Sequence, residues 1–171
     1  MHASMRQDRR LTSTFLTLST GSGKTLLLLS LLGEAELLGG QISCPRSPAD
    51  AIVQSDNVQI LQPGKWLSSK LVAFAPQQAV ILNASIRSNI LWGLPLNKER
   101  YDATVAACGL LPDFVALEDG DATEIGEGGI GLSGGQKARV GLARAAYSRA
   151  QTVLLDDVSY EVTSAPLLFC D

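Results

Sequence analysis

The sequence of 171 residues has few of the side chains from which structural metal sites and disulfide frameworks are built. It contains one histidine, His2, and three widely spaced cysteines, Cys44, Cys108 and Cys170, without any CxxC pair. A structural zinc site needs a closely grouped set of Cys and His ligands, and a disulfide framework needs paired cysteines. Neither is expected, and the composition favours free thiols in a reducing compartment.

The sequence also lacks a basic surplus and a long apolar run. Its formal net charge is −3, whereas nucleic-acid binders usually carry excess Lys and Arg, so no nucleic acid partner is expected. The strongest apolar run, residues 26–32, is far shorter than the roughly 20 residues that cross a bilayer. The chain therefore has no predicted membrane span of its own and would be soluble and cytoplasmic alone. Its hydrophobic fraction of 46% suffices for one domain with a buried core.

A glycine-containing turn lies between a strand predicted at 11–18 and a leucine-rich helix predicted at 25–38. Such a turn can bind phosphate through its backbone N–H groups, helped by the positive end of the following helix. Lys24 can reach the β- and γ-phosphates, and the Thr25 hydroxyl can bind Mg²⁺. The predicted phosphate-binding residues are Thr20, Gly21, Ser22, Gly23, Lys24 and Thr25. The full P-loop pattern has glycine at position 18, where this chain has Leu18. The alternative to a phosphate-binding loop is an ordinary glycine-rich turn.

Local patterns predict the remaining elements. Short strands are expected at 41–44 and 71–74, and a surface insertion with some extended structure at 49–69. Asn97 should cap a helix through Cys108 that stops at Gly109, and Pro112 should begin another. Residues 120–131 form a predicted glycine-rich loop, and Ser133 should cap a helix through Arg149.

The apolar run 152–155 predicts a buried strand that ends in two acids. Ligands bind at the carboxyl edge of open α/β sheets, so Asp156 would hold Mg²⁺ through water and Asp157 would orient or polarise an attacking water. The alternative is a core strand followed by two solvated acids.

The most specific string is the predicted signature motif: Leu132, Ser133, Gly134, Gly135 and Gln136. Ser133 and the glycines present a hydroxyl and N–H groups at a helix N-terminus, which suits phosphate; the alternative is an ordinary capped helix start. With these motifs, the chain resembles the ATP-binding cassette (ABC) transporter family over about residues 21–157.

The resemblance implies several roles. Gln77 matches the family's Q-loop glutamine, which senses Mg²⁺ and the attacking water. The implied catalytic residues are Asp157 and Gln77, and the implied Mg²⁺ ligands are Thr25, Gln77 and Asp156. The signature motif would contact the ATP of a partner cassette. Residues 81–93 look like the exporter surface that receives the coupling helices of the membrane domain. Residues 124–130 and the aspartate at 157 are similar to the first cassette of C-subfamily (multidrug-resistance-associated) exporters, in which that site is the weaker hydrolase.

The implied fold class is α/β: a P-loop NTPase (RecA-like) core with an α-helical ABC subdomain, incomplete. Residues 1–10 are a predicted basic tail, 11–165 a partial nucleotide-binding domain with its helical subdomain at about 83–150, and 166–171 a C-terminal tail. The implied cofactors are ATP and Mg²⁺. The implied partners are a second cassette and transmembrane domains, at the cytoplasmic face of a membrane.

The two ends depart from the family pattern. Phe15 lies on the predicted strand, where a core role is preferred to adenine stacking. Residues 158–162 replace the expected D-loop, and no switch histidine follows. The chain is therefore interpreted as truncated at both ends, with ATP binding and weak hydrolysis as its function. The alternative is a catalytically degenerate nucleotide-binding or interaction module. A DNA-repair type of cassette is disfavoured because no long heptad run separates the motifs.

Overall fold

A computed structural model describes Gly21, residues 23–42, Cys44 and residues 68–156, except for the side chains of 68–70. Several predictions from the sequence lie outside these residues. They concern Leu18, Thr20, Ser22 and Asp157, the strand at 11–18, the terminal tails and most of the insertion at 49–69. The last two residues of that predicted insertion belong to a strand.

The described elements follow one another as helices and short strands. In chain order they are α1 (Lys24–Leu32), β1 (Ser68–Ala75), β2 (Ala84–Ser85), α2 (Ile86–Leu91), α3 (Lys98–Ala107), α4 (Leu111–Ala116), a 3₁₀ turn (Gly120–Ala122), β3 (Glu124–Ile125), a second 3₁₀ turn (Glu127–Gly129), α5 (Gly134–Tyr147) and β4 (Ala150–Leu155). This mixture of helix and strand agrees with the predicted α/β class.

Strands β1 and β4 pair in parallel although some seventy residues separate them in the sequence. Val72 lies opposite Thr152 and Ala75 opposite Leu155, with an irregularity between Ser68 and Val72. The two strands predicted at 71–74 and 152–155 are thereby confirmed, with longer bounds. Parallel pairing brings the carboxyl ends of both strands to one edge of the sheet. Strands β2 and β3 form a separate antiparallel pair of two residues each.

Two predicted element boundaries are wrong, and one predicted strand is not formed. Helix α1 ends at Leu32 rather than at position 38 because Gly33 takes a left-handed conformation with φ 83°, which ends the helix. Helix α5 ends at Tyr147 rather than at Arg149, since Ser148 is extended. Gln41, Ile42 and Cys44 lie in irregular backbone. A strand needs a neighbour for its backbone hydrogen bonds, and the described part of the chain pairs none with them.

The helix starts predicted from Asn97 and Pro112 are confirmed. The Asn97 side chain accepts a hydrogen bond from the Arg100 backbone N–H at 3.0 Å and caps α3. Pro112 lies in the first turn of α4. The predicted loop at 120–131 is partly wrong, since it contains β3 and two 3₁₀ turns.

The buried core surrounds α5. Helices α2 and α3 pack against it, and the core residues include Ile86, Ile90, Tyr101, Val105, Cys108, Leu110, Val140, Leu142 and Tyr147. The Tyr147 hydroxyl donates to the Pro95 carbonyl at 2.6 Å and accepts the Asn97 N–H at 2.8 Å. These two hydrogen bonds connect the C-terminal end of α5 to the start of α3. Within the described ranges, no helix is both long and apolar enough to cross a membrane.

Candidate phosphate site and signature helix

The carboxyl edge of the β1–β4 pair carries the first candidate site. The Asp156 backbone N–H donates to the Ala75 carbonyl at 2.9 Å, which continues the parallel pairing one residue past β4. The Asp156 side chain accepts a hydrogen bond from the Thr25 hydroxyl at 2.7 Å. Asp156 is 4% exposed, so its carboxylate is held at a fixed place against the start of α1. The structure thus brings together two residues that are 131 positions apart.

Two glycines shape the loop before α1. Gly21 has φ 78° and Gly23, the residue that precedes the helix, has φ 88°. Side chains are costly in this left-handed region, so glycine is the residue that fits both positions. Helix α1 then begins at Lys24, and the Leu27 N–H bonds to the Gly23 carbonyl at 2.9 Å. The first turn of α1, whose end carries the positive pole of the helix dipole, therefore begins one residue before Thr25.

Gln77 follows the end of β1 by two residues and is exposed. Because Ala75 pairs with the backbone of Asp156, Gln77 leaves the sheet at the edge where Asp156 and Thr25 meet. Of the predicted Mg²⁺ ligands, the structure joins Thr25 to Asp156 and sets Gln77 at their edge.

The chemistry of this edge fits magnesium. A hydroxyl and a carboxylate are hard oxygen ligands, and Mg²⁺ in nucleotide sites typically takes one or two such groups while keeping phosphate and water ligands. No group of three or more His, Cys, Asp or Glu side chains that could hold a metal by itself occurs in the ranges that the structure describes.

The signature motif forms the N-terminus of α5, as predicted. The Ser133 hydroxyl accepts the Gln136 N–H at 3.2 Å, and the Gln136 side-chain oxygen accepts the Ser133 N–H at 2.8 Å. This reciprocal capping box fixes the first turn. Ser133, Gly134 and Gly135 are exposed, and Leu132 packs against the core.

A further residue at the signature was not predicted. Asp113, in the first turn of α4, accepts hydrogen bonds from Arg139 Nε at 2.8 Å, from Arg139 Nη2 at 2.9 Å and from Gln136 Nε2 at 3.2 Å. The sequence signalled only a helix start at Pro112, and nothing in it indicated contact with α5. The pairing depends on how the two helices pack.

The last turn of α5 contacts the segment that follows Gln77 through Arg144. Arg144 donates to the carbonyl oxygens of Val80 at 2.8 Å and of Asn89 at 2.9 Å, and to Asn89 Oδ1 at 3.1 Å. Its guanidinium lies 3.9 Å from the ring centre of Trp92, an arrangement typical of cation–π attraction. Burial lowers the pKa of Arg144 to about 10. Asn89 is fully buried and also bonds the backbone of Leu82, so this network fixes the backbone around 80–89.

The phosphate edge and the signature are separate places on the chain. In the part that the structure describes, no hydrogen bond joins a signature residue to Thr25 or Asp156. Helix α5 has 14 residues, a length of about 21 Å at the usual rise, and separates the signature from β4. Among the described residues, the two sites thus share no direct hydrogen bond.

Comparisons with known proteins agree with these motifs. A family model described as "ABC transporter" matches residues 12–159. The chain is 48% identical over 146 residues to the "ATP-dependent bile acid permease" of Saccharomyces cerevisiae, covering 85% of the chain and 8% of that relative. It is 48% identical over 151 residues to the "Pleiotropic ABC efflux transporter of multiple drugs YBT1" of Candida glabrata, covering 88% of the chain and 9% of the relative.

A mammalian relative extends the comparison to the C subfamily. "ATP-binding cassette sub-family C member 3" of Rattus norvegicus is 44% identical over 137 residues, which are 80% of the chain and 7% of that protein. The chain spans less than a tenth of the length of each of these relatives. The family model nevertheless covers most of the chain, including the phosphate edge and the signature helix. The chain therefore belongs to the ABC transporter family and carries sequence of that family's nucleotide-binding domain.

Proposed function

We propose that this chain binds MgATP as part of the nucleotide-binding domain of an ABC exporter. The observation that carries the proposal is the 2.7 Å hydrogen bond between Thr25 and Asp156. It joins the helix after the phosphate loop to the end of β4, and both side chains carry oxygens suited to Mg²⁺. In the proposed domain, β1, β4 and α1 belong to a RecA-like core, and about residues 83–150 form the α-helical subdomain.

Each residue of the phosphate edge has a proposed task. The backbone of residues 20–25 would cradle the phosphates, and Lys24 would add a charge-assisted contact to the β- and γ-phosphates. Thr25, Asp156 and Gln77 would hold Mg²⁺. When bound, the ion would neutralise part of the negative charge of the phosphates. Asp157 and Gln77 would position the attacking water. A shorter carboxylate than glutamate at 157 is consistent with slow hydrolysis.

The proposed partners rest on the chain's membership of the ABC transporter family. In the proposed assembly, the signature motif at the start of α5 meets the nucleotide held by a second cassette. Val80, Leu82 and Trp92 are exposed apolar side chains, and the proposed role of this surface is to receive helices of the transmembrane domains. The chain would then act at the cytoplasmic face of a membrane, and ATP would drive export.

The test is calorimetric titration of ATP into the wild-type chain, K24A and D156N, each with Mg²⁺ and with EDTA. K24A should weaken MgATP binding at least tenfold, about 1.4 kcal/mol, because the loop loses its cationic side chain. D156N should lose the Mg²⁺-dependent gain in affinity and keep the affinity for ATP measured in EDTA.

The control is D121N, which removes a hydrogen-bonded carboxylate away from the site and should bind MgATP like the wild type. Equal affinities of the wild type and K24A would contradict the proposal. The rate of ATP hydrolysis is measured on the same proteins. A second outcome is that the wild type binds MgATP but hydrolyses ATP no faster than K24A does. That result favours the degenerate nucleotide-binding module. The reasons for considering that alternative are Leu18 in place of the first P-loop glycine, the absent switch histidine and the missing D-loop sequence.

A further inference from the structure

Asp113, on α4, contacts Gln136, the signature residue whose side chain also bonds the backbone at the start of α5. Its carboxylate is fixed by two hydrogen bonds from the Arg139 guanidinium and accepts a third from Gln136 Nε2. The Asp113 and Arg139 side chains are only 13% and 22% exposed, so the ion pair is well shielded from water. Bidentate Arg–carboxylate pairs of this kind fix orientation as well as distance.

Both ends of the Gln136 amide are used inside the protein. Its oxygen accepts the Ser133 N–H, and its nitrogen donates to Asp113. A 180° rotation of the amide would set its NH₂ group against the Ser133 N–H and its oxygen against the carboxylate. Donor would then face donor, and acceptor would face acceptor. The Asp113 carboxylate therefore disfavours the rotated amide at its nitrogen position, and the Ser133 N–H disfavours it at its oxygen position.

This arrangement decides which groups of the signature remain for a ligand. The first N–H groups of a helix have no partner within it, and here they belong to Gly134 and Gly135. The Ser133 oxygen accepts the Gln136 N–H, and its own O–H hydrogen has no acceptor among the described residues. Two backbone N–H groups and one hydroxyl are thus presented together at the positive end of α5, as an anion requires.

We propose that Asp113 is a positioning residue of the signature motif, and that Gln136 serves to hold the motif's shape rather than to contact the nucleotide. Held by Arg139, Asp113 fixes the Gln136 amide in the rotamer that closes the capping box. Ser133, Gly134 and Gly135 then face a phosphate of the nucleotide on a second cassette. The inference rests on the proposed function for the presence of that nucleotide, and on the hydrogen bonds alone for the roles of Asp113 and Gln136.

The first experiment measures backbone amide hydrogen exchange by NMR in the chain without nucleotide. D113N keeps the shape of the side chain and removes its charge, and Q136A removes the amide. We expect exchange at Ser133 to rise about tenfold in D113N, close to the loss of one net hydrogen bond. In a Q136A background, D113N should add little to the exchange rate at Ser133, because Asp113 acts there through Gln136.

The matched control is again D121N. Asp121 accepts two hydrogen bonds from Arg87 and one from the Tyr101 hydroxyl, the same pattern of an arginine fork and a third donor, and it touches no signature residue. D121N should leave exchange at Ser133 within about twofold of the wild type, less than half a kcal/mol. Unchanged exchange in D113N, or an equal rise in D121N, would overturn the proposal, since either result means that Asp113 does not hold the capping box.

The second experiment separates the two nucleotide contacts. Calorimetric titration of AMP-PNP with Mg²⁺ measures the affinity of the phosphate loop for nucleotide. Sedimentation velocity in saturating Mg–AMP-PNP measures the association of two copies of the chain through the signature. D113N should bind Mg–AMP-PNP normally and associate at least about tenfold more weakly. Equal association of D113N and the wild type overturns the role of Asp113 toward the nucleotide. Absence of nucleotide binding by the wild type contradicts the proposed function, and amide exchange then still decides the role of Asp113.

Discussion

Gly141 lies in the middle of α5, at a position where alanine would normally improve a helix by about 1 kcal/mol. In this structure a β-carbon at 141 would lie 2.7 Å from the Ala79 Cβ and 3.7 Å from the Ala79 Cα. Carbon atoms in good contact are about 3.5–4.0 Å apart, so the two methyl groups would overlap by about 1 Å. The segment that follows Gln77 would have to move away from α5.

The size of the effect follows from two opposing terms. Overpacking of this kind costs about 1–3 kcal/mol, from which the helix gain of about 1 kcal/mol is subtracted. G141A should therefore lower the free energy of unfolding by up to about 2 kcal/mol. A79G alone should also destabilise, by about 1–2 kcal/mol, because it removes a packed methyl group and adds backbone entropy to the unfolded chain. In the double variant the overlap is absent, so the costs should not add.

The assay is guanidinium denaturation of the wild type, G141A, A79G and the double variant, followed by circular dichroism. The double variant should be more stable than the sum of the single effects predicts, by at least about 1 kcal/mol, since the pair is in direct contact. Additivity within about 0.5 kcal/mol would refute the reasoning, because it would mean that the two positions do not touch.

Three further predictions concern other parts of the described fold. Burial raises the pKa of Cys108 to about 12, so iodoacetamide at pH 8 should alkylate Cys44 well before Cys108 in the native chain, as read by peptide mass spectrometry; equal rates would contradict it. Hydrogen bonds from Arg87 lower the pKa of Asp121, so its contribution to stability is present above about pH 4 and is lost as the pH falls through the folded value. D121N should accordingly show a shallower loss of stability below about pH 4 in acid denaturation, and an unchanged slope counts against the assignment. R144K should lower the free energy of unfolding by about 2 kcal/mol in denaturant titrations, because an ammonium cannot reach all three oxygen acceptors of the guanidinium; a loss under about 0.5 kcal/mol would show that lysine replaces it.

The features that could be predicted from the sequence are those whose physical cause is local. The Ser133 and Gln136 spacing defines a capping box within one helical turn, and Asn97 with Gly109 marks both ends of α3 within a dozen residues. The acid after an apolar run marks the end of β4. These signals need no knowledge of the rest of the chain, which is why the structure reproduces them almost at the predicted residues.

The features that could not be predicted depend on packing between distant segments. Gly33 and the Gly39–Gly40 pair are equally good helix stops in the sequence, and only the structure shows that the first one ends α1. The contact of Asp113 with Arg139 spans 26 residues and depends on the angle at which α4 meets α5. Local patterns such as caps and hydrophobic periodicity do not reveal that angle, because it is set by the packing of side chains from both helices.

Helix α5 is the element on which these separate contacts converge. Its N-terminal part is held by Asp113 through Gln136 and Arg139. Its C-terminal half is held to the segment after Gln77 by Arg144 and by the close approach of Gly141 to Ala79. A packed helix moves as a rigid body more readily than it bends, because bending breaks its internal hydrogen bonds. A displacement of the segment after Gln77 is therefore expected to shift the signature end of α5 as well. Such a shift would couple the edge where Mg²⁺ is proposed to bind to the motif that is proposed to face the partner's nucleotide.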